Sequence, residues 1–312
     1  MEEKSNTVYR SNEDLDLQEV IKIIWHGKHW LIGFILLFFL SAIIYVFTLP
    51  NIYTSKALLA PNDDQNSLSN SLQSYSGLAT LAGITIPSNS SSKKIEAIER
   101  LSSLDFFEKN FIPDIKLQNL MAVSHWDSAS NRIIYKGSIY DEANSIWSWK
   151  NSSSTDNVPS IQESHIEFLK NYLIVDEDNE TGFIKVSIQH ESPYVAKLWL
   201  DILINKINKT IRDDYKRRTL DSINFLNQQF GQTSYAEIKQ ALSVLIQEET
   251  KKLMLIESNE DYIFRTIDPP YVPEKKSKPS RLLISIFFAF IGGIVGTLFL
   301  FIRHFFKLDA LN

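Results

Sequence analysis

Residues 31–49 read LIGFILLFFLSAIIYVFTL and residues 282–302 read LLISIFFAFIGGIVGTLFLFI; neither run contains a charge. Each is about 20 residues long, the length a helix needs to cross a hydrocarbon layer of roughly 30 Å. Two crossings leave both termini on one side and residues 50–281 on the other. That middle stretch is long enough for one or two hydrophobic cores of its own. The expected organisation is an N-terminal segment 1–30, a first span 31–49, a folded domain 50–281, a second span 282–302 and a tail 303–312.

Bulk composition narrows the class. A net charge of −5 over 312 residues gives no basic excess for nucleic acid, so no nucleic-acid partner is expected. Cysteine is absent. Disulfides, thiol catalysis and Cys-ligated zinc are thereby excluded, which suits an oxidising compartment. The first apolar run is read as a retained anchor and not as a cleaved signal. Residues 1–30 hold four Lys/Arg against six Asp/Glu, the reverse of a positive n-region, and no small-x-small site follows Leu49. Charge alone leaves the orientation open. Lys22 and Lys28 precede the first span and only Lys56 closely follows it, whereas Arg265, Lys275, Lys276, Lys278 and Arg281 precede the second. Loops beyond about 60 residues escape the positive-inside rule, so the first span is given the greater weight.

Between the runs the pattern alternates between strand and helix. Residues 14–27 place apolar side chains at 17, 20, 21 and 24, a short amphipathic helix leading into the first span. Trp25 and Trp30 suit the headgroup level. Residues 52–60 (IYTSKALLA) read as a strand closed by Pro61. Stretches 62–76 and 87–92 are Ser/Asn-rich loops around the small apolar segment 77–83. Residues 93–110, apolar at 95, 98, 101 and 104, are expected to be one helix. Residues 114–160 hold Trp126, Trp147 and Trp149 and show no clear period. Residues 172–175 and 183–190 form a hairpin around the turn 176–182.

Ser192 and Pro193 open a long helix as N-cap and first helical residue. Val195, Trp199, Leu203, Ile207, Ile211 and Tyr215 then recur every four residues, so the apolar stripe winds slowly around the helix and should meet successive partners. The helix is expected to reach Phe230, with Gly231 as a left-handed cap. Ser234 and Glu237 have capping-box spacing for a second helix to about 258. Tyr235, Ile238, Leu242, Leu245 and Ile256 fall on heptad positions in it. At 1.5 Å per residue the two helices measure about 57 and 35 Å, a projecting hairpin longer than most globular domains need. Residues 262–267 are a short strand. Pro269, Pro270, Pro273 and Pro279 make a stiff extended connector into the second span. There Gly292, Gly293 and Gly296 include a GxxxG pair, small residues that let another helix come close. The predicted fold class is an α+β membrane protein, two transmembrane helices flanking an α/β base with a long helical hairpin.

No constellation points to chemistry, and no catalytic residue, metal site or cofactor is expected. The Asp176-Glu-Asp178 triplet resembles the D-x-D that holds a metal-bound sugar nucleotide, but it sits where turn chemistry calls for Asp and Asn. The histidines, at 26, 29, 125, 165, 190 and 304, lack metal-ligand spacing. Neither a P-loop nor a G-x-S-x-G elbow occurs. Lys206, Lys209, Arg212 and Lys216 line one side of the long helix. They could meet an anionic polymer or another subunit, though a solvated face balanced by Asp213, Asp214 and Asp221 is the simpler reading. Sequons at Asn89, Asn151, Asn179 and Asn208 matter only in a eukaryotic secretory pathway.

Four segments in order resemble one known family over nearly the whole chain. They are 14–61 (from DLDLQEVIKIIWHGK through the span to Leu-Pro and the strand), 76–84 (SGLATLAGI), 192–196 (SPYVA) and 267–281 (IDPPYVPEKKSKPSR) followed by a Gly-bearing span. The family is that of the Wzz-type chain-length determinants, bacterial polysaccharide co-polymerases. The resemblance implies a Gram-negative inner-membrane protein with cytoplasmic termini and a periplasmic domain. It implies a homo-oligomer, non-enzymatic, that acts with the membrane O-antigen polymerase on undecaprenyl-linked glycan and sets the modal length of lipopolysaccharide O-antigen. Packing of the long helices is then expected to set the oligomer's geometry, and substitutions at Trp199 or Leu203 to shift modal length. Three rivals remain: a co-polymerase for enterobacterial common antigen or capsule, a two-span periplasmic sensor, and a membrane-bound glycan enzyme.

Overall fold

The computed structural model describes residues 25–62, 89–149 and 157–309. Most of the expected amphipathic helix at 14–27, nearly all of the loop 62–76 and the small-residue segment 77–83 lie outside these residues. The chain divides into two compact units, one holding the two apolar helices and the other comprising Asn51–Ser277. The first helix, α1 (Lys28–Thr48), belongs to the smaller unit, taken up last.

In the larger unit, β1 (Tyr53–Pro61) pairs antiparallel with β7 (Ile184–His190) on one side and β8 (Phe264–Asp268) on the other; β6 (Leu173–Glu177) completes a sheet of order β6–β7–β1–β8. The register sets Ser55, Ala57 and Leu59 opposite Ile188, Val186 and Ile184. Side chains alternate along a strand, so these six share one face, and all are buried. The β6–β7 turn has the expected chemistry. The Asp178 carboxylate accepts from the Glu180 and Thr181 N–H groups at 2.9 and 3.2 Å, and Gly182 supplies a φ of +70°.

The sheet's inner face is covered from several directions. Helix α2 (Asn89–Leu101) begins inside the stretch read as a loop and ends before Ser102. The single helix expected at 93–110 is therefore broken. Ser103 Oγ accepts from the Phe106 N–H at 3.3 Å and starts α3 (Leu104–Phe106), which widens into a π-turn at Phe107–Phe111. Paired serines compete with the helical backbone in this way, and the break turns Phe106, Phe107 and Phe111 into the core. After α4 (Leu117–Met121), the unpatterned region forms two small hairpins, β2 (Val123–Asp127) with β3 (Arg132–Tyr135) and β4 (Tyr140–Asp141) with β5 (Ile146–Trp147). Helix α5 (Ile161–Glu167) starts with a full capping box between Ser160 and Glu163 and passes into a second π-turn, Phe168–Tyr172.

Helix α6 (Pro193–Gln232) lies on β1 and β7 and runs for 40 residues, about 60 Å. It carries straight through Gly231; Thr233, with φ −88° and ψ 139°, ends it in an extended conformation, so the left-handed cap is not made. Helix α7 (Ala236–Ser258) packs along α6. Its N-cap is Tyr235 with no side-chain bond, so the Ser234–Glu237 capping box does not form either.

The smaller unit pairs α1 with the last helix, α8 (Arg281–Asp309). Windows within Lys28–Thr48 and Arg281–Arg303 have mean hydropathies of 2.6 and 2.4, long and apolar enough to cross a membrane. Leu36, Leu40, Phe47, Leu282, Phe287 and Phe290 point outward. Helices apolar on all sides find their solvent in lipid.

Candidate functional site: a helix pair rooted in an aromatic core

The stripe on α6 defines the root of the helix pair. Trp199, Leu203, Ile207 and Ile211 are buried, with Val195 and Tyr215 partly buried against the same core. Their partners change along the helix. Trp199 meets Phe111 edge-on at 5.6 Å, Tyr172 at 5.5 Å and His190 at 4.9 Å. Sixteen residues on, Tyr215 lies 5.8 Å from Tyr262 and donates its hydroxyl to Glu96 at 3.1 Å. Burial and the nearby Glu96 carboxylate push the Tyr215 phenol up to about 12. These side chains are thus occupied within the protomer's own core.

Ion pairs lock the outer side of that root. Asp214, mostly buried, takes Arg100, Arg217 and Arg218 at 3.3, 2.5 and 2.8 Å. Lys93 lies over the rings of Tyr215 and Tyr262 at 4.9 and 5.4 Å, and burial lowers its pKa. Of the basic residues singled out on α6, Lys206 pairs with Asp114 and Lys216 with Glu257. They serve the protomer. Asn208 is buried, with its side chain hydrogen-bonded to the backbone of β8.

Beyond Thr219 the pair changes character. No side chain between 220 and 255 is buried. Phe225, Tyr235, Ile238, Val244, Leu245 and Met254 are exposed large apolar groups. From Ser222 to Gln247 the only charges are Glu237 and Lys239. The heptad positions Tyr235, Ile238, Leu242 and Leu245 therefore find no core inside the protomer, and only Ile256, at the root, is buried.

In the smaller unit the glycines face α1. A Cβ at Gly292 would sit 2.9 Å from both the Phe34 carbonyl oxygen and the Phe38 Cβ, and one at Gly296 would sit 3.0 Å from Leu31 Cδ1. At Gly293 the nearest atom is 3.9 Å away, an ordinary contact. Of the prolines between β8 and α8, Pro273 is buried and Pro269 exposed, with Pro270 and Pro279 partly covered.

Among the described residues no group of three or more His, Asp or Glu side chains could hold a metal ion. His190 is buried, its Nδ1 accepting from the Ser192 N–H at 2.8 Å and its Nε2 donating to the Asn119 carbonyl at 2.9 Å. Both nitrogens are used structurally. The arrangement offers surfaces for packing and assembly.

No curated protein matches the chain by sequence. A solved structure titled full-length bacterial polysaccharide co-polymerase aligns over 94% of this chain and 98% of its own, at 15% identity and a TM-score of 0.41. A fragment of WzzB, a polysaccharide co-polymerase from Salmonella Typhimurium, aligns over 73% of this chain and 100% of its own, at 14% identity and a TM-score of 0.30. Residues 13–112, about a third of the chain, match the Wzz family model, described as chain length determinant protein, and it is on that segment that the resemblance to the chain-length determinants stands.

Proposed function

We propose that this chain is a polysaccharide co-polymerase of a Gram-negative inner membrane that sets the modal length of lipopolysaccharide O-antigen. The observation that carries the reading is the family match at 13–112, which runs from ahead of the first apolar helix through β1 to just past the first π-turn. On this reading 1–30 and 303–312 are cytoplasmic, α1 and α8 cross the bilayer, and 50–281 is periplasmic. The protein is not an enzyme. It acts as a homo-oligomer beside the membrane O-antigen polymerase and governs how far undecaprenyl-linked chains grow. The exposed apolar surface of α6 and α7 beyond residue 220 supports assembly, since large apolar groups left in water mark contact surfaces. The glycines at 292 and 296 hold the two spans together, and the proline-bearing stretch 269–279 joins domain to span.

The test is the lipopolysaccharide ladder of a strain lacking this gene, with and without a plasmid copy. Loss of the modal cluster on deletion and its return on complementation is the expected result. An unchanged ladder would overturn the O-antigen assignment and direct the same deletion to the length of common antigen or capsule.

A further inference from the structure

Within the larger unit, the two small hairpins leave an open groove of about 540 Å³ between β3 and the β4–β5 turn. That volume falls within the range of small-molecule sites. Arg132 and Ile134, two apart on β3 and so on one face of it, form one wall. Asp141 and Glu142 form the other. The second wall is held in shape by its own turn: the Asp141 carboxylate accepts from the Ala143 and Asn144 N–H groups at 2.9 and 3.3 Å and from Asn144 Nδ2 at 2.8 Å.

Tyr135 and Tyr140 line the groove between these walls, edge to face with ring centroids 5.6 Å apart. Both are anchored on α4 by their tips. The Tyr135 hydroxyl donates to Asn119 Oδ1 at 2.7 Å, and the Tyr140 hydroxyl accepts from Gln118 Nε2 at 3.1 Å. With the hydroxyls engaged there, partly exposed Tyr135 gives the groove apolar surface, backed by nearly buried Tyr140, and Ile134 at 39% exposure adds to it. Across the mouth, Arg132 Nη2 and Glu142 Oε1 lie 3.6 Å apart with both side chains largely exposed, too far for a hydrogen bond between them.

We infer that this groove binds one uncharged sugar unit of a glycan chain. A pyranose ring has an apolar C–H face and a rim of hydroxyls, and the groove offers a counterpart to each. Ile134 and Tyr135 supply the apolar surface. A hydroxyl both donates and accepts, so a single one can take a hydrogen bond from Arg132 and give one to Glu142, each strengthened by the charge of its partner. An acidic sugar would meet two carboxylates against one guanidinium, which selects an uncharged unit. Because the groove is open to solvent, the bound unit can belong to a longer chain. The inference rests on the proposed function for the identity of that chain; the groove itself lies outside residues 13–112, where the family match stands.

Short oligosaccharides cut from the host's delipidated O-polysaccharide, and a second set from its capsule or common antigen, are dye-labelled at the reducing end and titrated with the full-length protein in detergent. Saturable binding of the O-polysaccharide fragments is expected. Gly137 lines the groove without a positive φ, and a Cβ there would meet nothing within 4 Å. Gly137→Leu therefore fills the groove without crowding the fold, and should weaken binding at least tenfold at an unchanged melting temperature. Arg132→Ala, at an exposed side chain, should weaken it several-fold and carries the test if the leucine variant does not fold. Undiminished binding in the folded variants, or no binding of either set, overturns the groove and leaves length control to be judged by the ladder. Binding of the second set alone keeps the groove and overturns the O-antigen assignment.

Discussion

Asn208 brackets Phe264. Its Nδ2 donates to the Phe264 carbonyl at 2.9 Å, and its Oδ1 accepts from the Phe264 N–H at 2.9 Å and from the Ile263 N–H at 3.2 Å. One buried side chain of α6 thus satisfies three backbone groups at the start of β8. Asn208→Asp keeps the shape but sets a carboxylate against the carbonyl oxygen. A loss of about 2–4 kcal/mol is expected, from one broken bond and a buried unpaired charge. Thermal unfolding of the detergent-solubilised protein measures it; an unchanged melting temperature would show that the bracket contributes little.

Trp199→Ala empties the centre of the aromatic cluster and should cost about 3–5 kcal/mol, with Leu203→Ala at about 2–5 kcal/mol. Because both side chains are fully enclosed in the protomer, any change in glycan length should come with a fall in protein level. Immunoblots beside the lipopolysaccharide ladder decide this. An altered modal length at wild-type abundance would return these residues to a direct role.

Burial holds the His190 imidazole down to about 4 from an ordinary 6.5. As pH falls through 6.5 the unfolded chain takes up the proton and the folded one does not. Stability therefore declines between pH 6.5 and 4, by roughly 3 kcal/mol at most. The neighbouring Glu191 carboxyl is held above its usual range by burial, so its contribution is lost as pH rises and has the opposite slope. His190→Gln removes the imidazole's share. Melting temperatures across this window should fall less steeply for the variant than for the wild type.

The glycines of α8 should not be equivalent. Gly292→Ala drives a methyl into the Phe34 carbonyl and the Phe38 side chain, and overpacking of this kind costs about 1–3 kcal/mol. Gly293→Ala meets only ordinary contacts and should be tolerated. Cysteine pairs placed across α1 and α8 report the difference as reduced cross-linking for the first variant and unchanged cross-linking for the second.

Phe225→Ser and Ile238→Ser alter exposed positions on the outer helix pair. Protomer stability should move by no more than about 0.5 kcal/mol, while the assembled mass measured by light scattering in detergent falls. Unaltered assembly would remove this surface from the oligomer.

Much of this fold is legible because local chemistry and burial agree. Pro61, the Asp178–Gly182 turn and Ser192–Pro193 mark boundaries by backbone preference alone, and the four-residue stripe on α6 marks a buried face. Elsewhere a local signal lost to its surroundings. Gly231 has the residue type for a left-handed cap, yet α6 runs through it, since glycine in a helix costs only about 1 kcal/mol. Ser160 and Glu163 do form a capping box, but it is hard to see beside a tryptophan-rich stretch without period. The apolar spacing at 235, 238, 242 and 245 says that a surface wants covering and not what covers it. Likewise the GxxxG pattern announces a close neighbour, while only the structure supplies Phe34 and Phe38.

Because nothing between 220 and 255 enters the core, the number of residues there is not an input to folding. Seven residues added to α6 and seven to α7 would extend the pair by about 10 Å and return each helix close to its original angular phase. The sheet, the aromatic root and the apolar helices would register no change. Reach is in this chain an independent dimension, open to drift by small duplications or deletions, so that the distance spanned can diverge while the rest of the molecule stays as it is.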